Sequence, residues 1–119
     1  MYESGENYLE TILILKKEIG SVRAIDIAKK LNFSKPSVSR ALGILREEKY
    51  IDIDSNGYIL FTDIGAEKAE AIYERHKILT KFLVKTASIS EKVAEEDACK
   101  IEHIISDETF KGIKKFIEK

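Results

Sequence analysis

Two helical patterns separated by a three-residue turn constrain this chain more than any other feature of its sequence. In 21–31, Ala24, Ile27, Ala28 and Leu31 recur at helical spacing, and in 35–48 Val38, Leu42 and Leu45 do the same. Only Asn32, Phe33 and Ser34 stand between them, with Ser34 at the N-cap position and Pro36 in the first turn, where its missing N–H breaks no bond. An earlier helix is expected over 6–19, striped by Tyr8, Leu9, Ile12, Leu13 and Leu15 and stopped by Gly20. After the pair, 50–54 and 58–62 alternate or run apolar around Ser55-Asn56-Gly57, which reads as a hairpin. Three helices followed by a hairpin predict a winged helix-turn-helix.

The pattern changes beyond Thr62. Thr62 or Asp63 caps a long helix running through Ala66, Ala69, Ile72, His76, Leu79 and Phe82 to about residue 84. A polar break at 85–90 precedes a helix over 91–105, opened by Ser90 with Val93. Ser106 then caps a last helix carrying Phe110, Ile113 and Phe116. The expected fold class is mainly α, with a winged helix-turn-helix domain over 1–63 and an all-helical domain over 64–119.

Charge is informative only when divided along the chain. The formal net charge is -1, yet 20–49 holds seven basic residues (Arg23, Lys29, Lys30, Lys35, Arg40, Arg46, Lys49) against three acids, a local +4. That patch suits phosphates, and the turn spacing seats one helix across a nucleic-acid backbone and the next in the major groove. The start of the second helix offers Ser34, Lys35, Pro36, Ser37, Ser39 and Arg40 as the DNA-binding residues. Arg40 can fork onto guanine O6 and N7 or clasp a phosphate, whereas Lys35 and the hydroxyls suit phosphates.

Other classes fit poorly. A single cysteine cannot form an internal disulfide, no apolar run is long enough to cross a membrane, and the first residues lack the basic start of a signal peptide, so a cytoplasmic protein is expected. At 119 residues, with no Gly-rich phosphate cradle and no separate base or nucleophile, an enzyme acting on a small-molecule substrate is the weakest reading.

Cys99, Glu102 and His103 stand at i, i+3 and i+4, offsets that share one helical face and let a thiol, a carboxylate and an imidazole converge as a transition metal requires. The only other histidine is His76. Each residue also has an ordinary reading: a helix-borne cysteine is often a small buried hydrophobe, His103 a hydrogen-bonded core histidine, and a glutamate simply solvated. Taken one at a time these ordinary readings would win, and it is the joint spacing that keeps ligation in view. A thiolate in the set tilts selectivity toward Fe(II), with Zn(II), Co(II) or Ni(II) as surrogates, over the harder Mn(II).

Several segments together, Glu6-Asn-Tyr-Leu-Glu-Thr-Ile-Leu13, Ile25-Asp-Ile-Ala-Lys-Lys-Leu31, Pro36-Ser-Val-Ser-Arg40, Tyr73-Glu-Arg-His-Lys77 and Glu96-Asp-Ala-Cys-Lys-Ile-Glu-His-Ile-Ile-Ser-Asp107, resemble the iron- and manganese-dependent repressors of the diphtheria-toxin-repressor family. The resemblance spans essentially the whole chain. It implies a homodimer that binds palindromic double-stranded operators when loaded with Fe(II) or Mn(II) and represses metal-uptake genes. In size the chain is similar to the two-domain manganese regulators. Cys99, Glu102 and His103 match the iron-type motif, Glu10 and His76 match ligands of the manganese type, and His76 also matches an ancillary ligand of the iron type. Asn7 falls where the manganese type has aspartate and the iron type methionine, so a neutral amide occupies that position. Thr80 replaces an ancillary glutamate of the iron type. With Glu10, His76 and the 99–103 segment drawn to one ion, metal would fix the DNA-reading half and act as a switch.

Two alternatives stay open. A metal-independent winged-helix regulator would bind its operator indifferently to chelators. A purely structural zinc site would unfold or dissociate the protein when stripped.

Overall fold

The computed structural model describes residues 3–119, so Met1 and Tyr2 of the expected first domain lie outside the described residues. The elements are α1 (Glu3–Ile19), α2 (Ala24–Leu31), α3 (Lys35–Glu47), β1 (Ile51–Ile53), β2 (Ile59–Phe61), α4 (Asp63–Ala87), α5 (Glu91–Ile101) and α6 (Asp107–Ile117). By packing, the chain divides into residues 1–70 and 71–119, a boundary that falls inside α4.

In the first unit the three helices enclose Leu9, Ile12, Ile27, Val38 and Leu45, all at most 2% exposed, and the strands add Ile51 and Ile59. Each of these side chains contributes roughly 1.5–3 kcal/mol by leaving water. The turn between α2 and α3 is fixed at both ends. Asn32 takes the left-handed conformation (φ 56°) and returns its N–H to the Ala28 carbonyl, while the Ser34 hydroxyl accepts the Ser37 N–H. Side-chain oxygen at an N-cap satisfies one of the helix's orphan donors, which is why serine punctuates the chain where it does.

The wing is an antiparallel hairpin in the register Ile51↔Phe61, Asp52↔Leu60 and Ile53↔Ile59. Asp54 folds its turn by accepting the N–H groups of Asn56 and Tyr58, each at 2.9 Å, and Gly57 supplies the positive φ of 84°. A third segment joins the hairpin. The Ile59 N–H donates to the Val22 carbonyl at 2.8 Å, and Arg23 pairs with Tyr58 and lays its guanidinium 4.3 Å over that ring. This recruitment explains why α2 begins at Ala24 and not at 21, the start expected from periodicity. Arg23 supplies the first backbone N–H, held by the Asp26 carboxylate at 2.9 Å.

Thr62 joins wing to helix. Its hydroxyl donates to the Lys49 carbonyl at 2.7 Å and accepts the Gly65 N–H at 3.0 Å, closing the hairpin and capping α4 together. The approach is so close that a Cβ at Gly65 would lie 1.7 Å from the Tyr50 carbonyl oxygen.

The second unit consists of the rest of α4 with α5 and α6. Its buried apolar side chains are Ile72, Leu79, Ala94, Ala98 and Phe110, and Phe82 meets Phe116 edge-on at 6.0 Å. Ser90 and Ser106 cap α5 and α6 by accepting the Val93 and Thr109 N–H groups, as the sequence leads one to expect. The helix expected over 91–105 is shorter: α5 ends at Ile101, and residues 102–105 form a turn into the Ser106 cap. Helical bonding carries through part of that turn, with the Glu102 N–H on the Ala98 carbonyl at 2.9 Å.

Gly65→Ala should therefore lower the stability of the chain by about 1–3 kcal/mol, because the clash is with backbone and cannot be relieved by a rotamer change. Gly112→Ala, whose Cβ meets nothing within 4 Å in the middle of α6, should instead stabilise by roughly 0.5–1 kcal/mol. Denaturant midpoints of the two variants, measured side by side, check the contrast.

Candidate functional site

In the second unit, α4 supplies His76, and the turn after α5 supplies Glu102 and His103. The Glu102 carboxylate lies between the two rings. His76 Nδ1 stands 3.0 Å from its Oε2, and His103 Nε2 stands 3.2 Å from its Oε1. The Glu102 side chain is 0% exposed and that of His103 2%, while His76 opens slightly to solvent at 18%. Burying a carboxylate is costly unless cations or hydrogen-bond donors surround it, and here an imidazole faces each oxygen.

The donor set fits a divalent ion. Metal–ligand bonds of about 2.1 Å place adjacent donor atoms about 3.0 Å apart on an octahedron and about 3.4 Å apart on a tetrahedron. The two nitrogen–oxygen separations, 3.0 and 3.2 Å, fall in that range. Such an arrangement holds either protons or a cation, and a cation displaces the protons, so uptake weakens in acid.

The remaining expected ligands are placed as follows. Cys99 lies on α5, half-buried, one turn before Glu102, so the thiol and carboxylate keep the helical offset while His103 lies past the end of the helix. Glu102 keeps helical backbone angles (φ -58°, ψ -25°), which preserves that relation even though the regular helix has stopped. In the first unit Glu10 is only 4% exposed, and Asn7 is half-buried with its backbone carbonyl accepting the Thr11 hydroxyl at 2.8 Å. Thr80 is buried, and its hydroxyl donates to the His76 carbonyl at 2.8 Å.

Sequence reading passed over Arg75, the neighbour of His76. Its Nη1 donates to the carbonyls of Glu102 and Ile105, each at 3.3 Å, and its Nη2 pairs with Asp107. The guanidinium also lies 5.0 Å over the Phe110 ring. The available signal was a cation one residue from a candidate ligand, which without a fold has no partner to suggest.

In the first unit, the residues expected to meet DNA are all exposed: Ser34, Lys35, Pro36, Ser37, Ser39 and Arg40, with Val38 turned inward between them. The seven basic residues of the patch are exposed as well. Two of them form ion pairs at the periphery, Lys30 with Glu18 at 3.4 Å and Arg46 with Asp52 at 3.7 Å, and Arg23 lies over the Tyr58 ring. Among the described residues Lys35 and Arg40 form no ion pair, so their charge faces solvent at the helix start. Ser34 and Ser37 hold each other at 2.9 Å between hydroxyl oxygens, which orients the first turn.

Comparison with known proteins agrees with both units. Residues 1–58 match the iron dependent repressor N-terminal DNA binding domain, and residues 62–119 match the iron dependent repressor metal binding and dimerisation domain. The chain is 36% identical over 120 residues to an uncharacterised HTH-type transcriptional regulator of Methanocaldococcus jannaschii, covering 100% of the chain and 96% of that protein. It is 32% identical over 114 residues to the transcriptional regulator MntR of Escherichia coli O157:H7, covering 96% of the chain and 73% of that protein. Among solved structures it is similar to the manganese regulator SloR, with a TM-score of 0.84 and 27% identity. That match takes in 96% of this chain and 53% of SloR, so the chain spans about half the length of that structure. Among the described residues no helix is long and apolar enough to cross a membrane.

Glu102→Gln keeps the shape of the site and removes its charge. It should reduce divalent-metal affinity by more than the roughly 10–100-fold typical of an outer-sphere partner, as read by isothermal titration. Arg40→Ala should cost about 1–3 kcal/mol in specific DNA binding and much less in nonspecific binding. Equal losses on the two kinds of DNA would show that Arg40 holds only phosphate.

Proposed function

The chain belongs to the iron-dependent repressor family, and on that premise we propose that it is an Fe(II)-responsive repressor, cytoplasmic and acting on palindromic operators. It is a DNA-binding, metal-dependent transcriptional regulator with a dimerisation domain, and not an enzyme. The observation that carries the metal assignment is the fully buried Glu102 carboxylate with an imidazole on each oxygen.

The proposed ligands are His76, Glu102 and His103, joined by Cys99 on α5 and by Glu10 and Asn7 on α1. The low exposure of Glu10 supports its role, since a buried carboxylate is stabilised where a cation meets it. Asn7 contributes at most a neutral oxygen, a weaker donor for a hard ion. The Cys99 thiolate is the reason for favouring Fe(II) over Mn(II), with Zn(II), Co(II) and Ni(II) as surrogates. When bound, the ion supplies the positive charge that a cluster of carboxylate and thiolate lacks.

Glu10 belongs to the helix on which α2 and α3 pack, so ligation there makes metal occupancy felt by the DNA-reading helices. In a homodimer the two copies of Ser34 to Arg40 enter successive major grooves, with half-sites about one helical turn apart or a multiple of it. Lys35 and the serine hydroxyls hold phosphates, and Arg40 reads a base edge. The functional boundary between the units is proposed at residues 63 and 64, where the wing ends.

The test is an anaerobic titration of apo-protein with Fe(II), Mn(II) and Zn(II), following binding to DNA upstream of its own gene at fixed salt. Fe(II) should raise affinity tenfold or more, about 1.4 kcal/mol of coupling. Cys99→Ala should reduce Fe(II) affinity far more than Mn(II) affinity. A tight, specific complex that no metal changes would sink the sensor reading.

A further inference from the structure

We propose that Arg75 is a positioning residue for the metal centre, clamping from outside the turn that presents Glu102 and His103. The inference rests on the reading of those two residues as ligands, and it assigns the geometry of the centre to a side chain that does not ligate.

The need for a clamp follows from where α5 stops. Glu102 and His103 lie beyond its last regular residue, Ile101, in a turn that leads directly to the Ser106 cap of α6. The turn's own N–H groups point back to α5, Glu102 to the Ala98 carbonyl and Ile104 and Ile105 to that of Ile101, so its carbonyls, like the last ones of any helix, take their donor from elsewhere. Arg75 reaches in. From α4 its Nη1 takes the carbonyls of Glu102 and Ile105, each at 3.3 Å, so one nitrogen bridges the first and last residues of the turn. Its Nη2 is bound to Asp107, the first residue of α6, and the ring of Phe110 lies 5.0 Å beneath the guanidinium.

The guanidinium thus ties three things to α4: the end of α5, the turn and the start of α6. A planar fork with its donors in fixed directions can do this, whereas an ammonium on a flexible stem cannot satisfy the same set at once. A cation at the C-terminal carbonyls is also favoured by the helix dipole. Because Arg75 immediately precedes His76, the residue that holds the turn and the residue that faces Glu102 share one helical backbone. The separation of the His76 and Glu102 donors is then set by a single rigid path through α4, the guanidinium and the Glu102 carbonyl. A loosened path costs metal affinity and alters coordination, because ligand geometry is fixed by such outer contacts.

The experiment uses the full chain and Co(II), whose visible absorption reports coordination geometry. Wild type, Arg75→Gln, Arg75→Lys, Asp107→Asn and Glu102→Gln are titrated with Co(II), and the thermal midpoint of each metal-depleted protein is recorded. Arg75→Gln is expected to lose about tenfold or more in Co(II) affinity and to shift the absorption bands. Arg75→Lys should keep the charge yet recover only part of the affinity, and Asp107→Asn, which leaves both carbonyl contacts in place, should lose least. Wild-type affinity and bands in Arg75→Gln would overturn the clamp, as would a lowered midpoint with unaltered bands. Should Arg75→Gln fail to fold, Arg75→Lys decides, because bands and affinity identical to wild type there also overturn it. If wild type takes up no Co(II), or Glu102→Gln binds it as wild type does, the metal-centre reading itself fails, and the clamp with it.

Discussion

Glu102 places a carboxylate where water does not reach, and the second unit is arranged around that cost. Its two oxygens are met by His76 and His103 at 3.0 and 3.2 Å, and its carbonyl is held by Arg75. A polar cluster of this kind in a small apolar interior is costly to bury, and α4, the end of α5 and the start of α6 meet around the same few atoms. The reward for that arrangement is a set of donors already at coordinating separation. A divalent ion bound there would meet donors that need little reorganisation.

The DNA-reading unit obeys a different logic. Its core is mainly apolar, with Glu10 and Thr11 the buried polar residues of its first helix, and its function is displayed by what the core leaves outside. Val38, Leu42 and Leu45 bury one face of α3, and this alone turns Lys35, Ser37, Ser39 and Arg40 outward. The wing is secured at two places, by Val22 and Arg23 along β2 and by Thr62 at the base, so that three residues at its edges hold an element with only three residues per strand. Two-stranded hairpins are marginal by themselves, and these attachments supply what the short ladder lacks.

Much of this was legible in the sequence, for reasons that differ by element. The caps Ser34, Ser90 and Ser106 and the helix-turn-helix spacing are local signals, and each is found where local chemistry puts it. The family and its two activities could be read because the 99–103 motif and the helix-turn-helix each lie in a contiguous segment. What escaped was non-local. Val22 and Arg23 look like the start of an amphipathic helix, and only pairing with β2, more than thirty residues away, makes them extended. The end of α5 at Ile101 was masked because apolar Ile104 and Ile105 continue the helical rhythm through the turn. Arg75 is only a cation beside His76 in the sequence, and its meaning lies in two carbonyls at 102 and 105, which periodicity cannot see.

The second unit keeps few large apolar side chains to itself. Ile72, Leu79 and Phe110 are buried, whereas Val84, Val93, Ile104 and Phe116 remain between 38% and 71% exposed. A unit this small has little interior for independent stability, and its exposed apolar side chains are surface that a second copy could cover in a domain whose family is described as a dimerisation domain. Where a second copy covers that surface, folding and association of this half are coupled. Stability of such a half would then depend on protein concentration as well as on sequence.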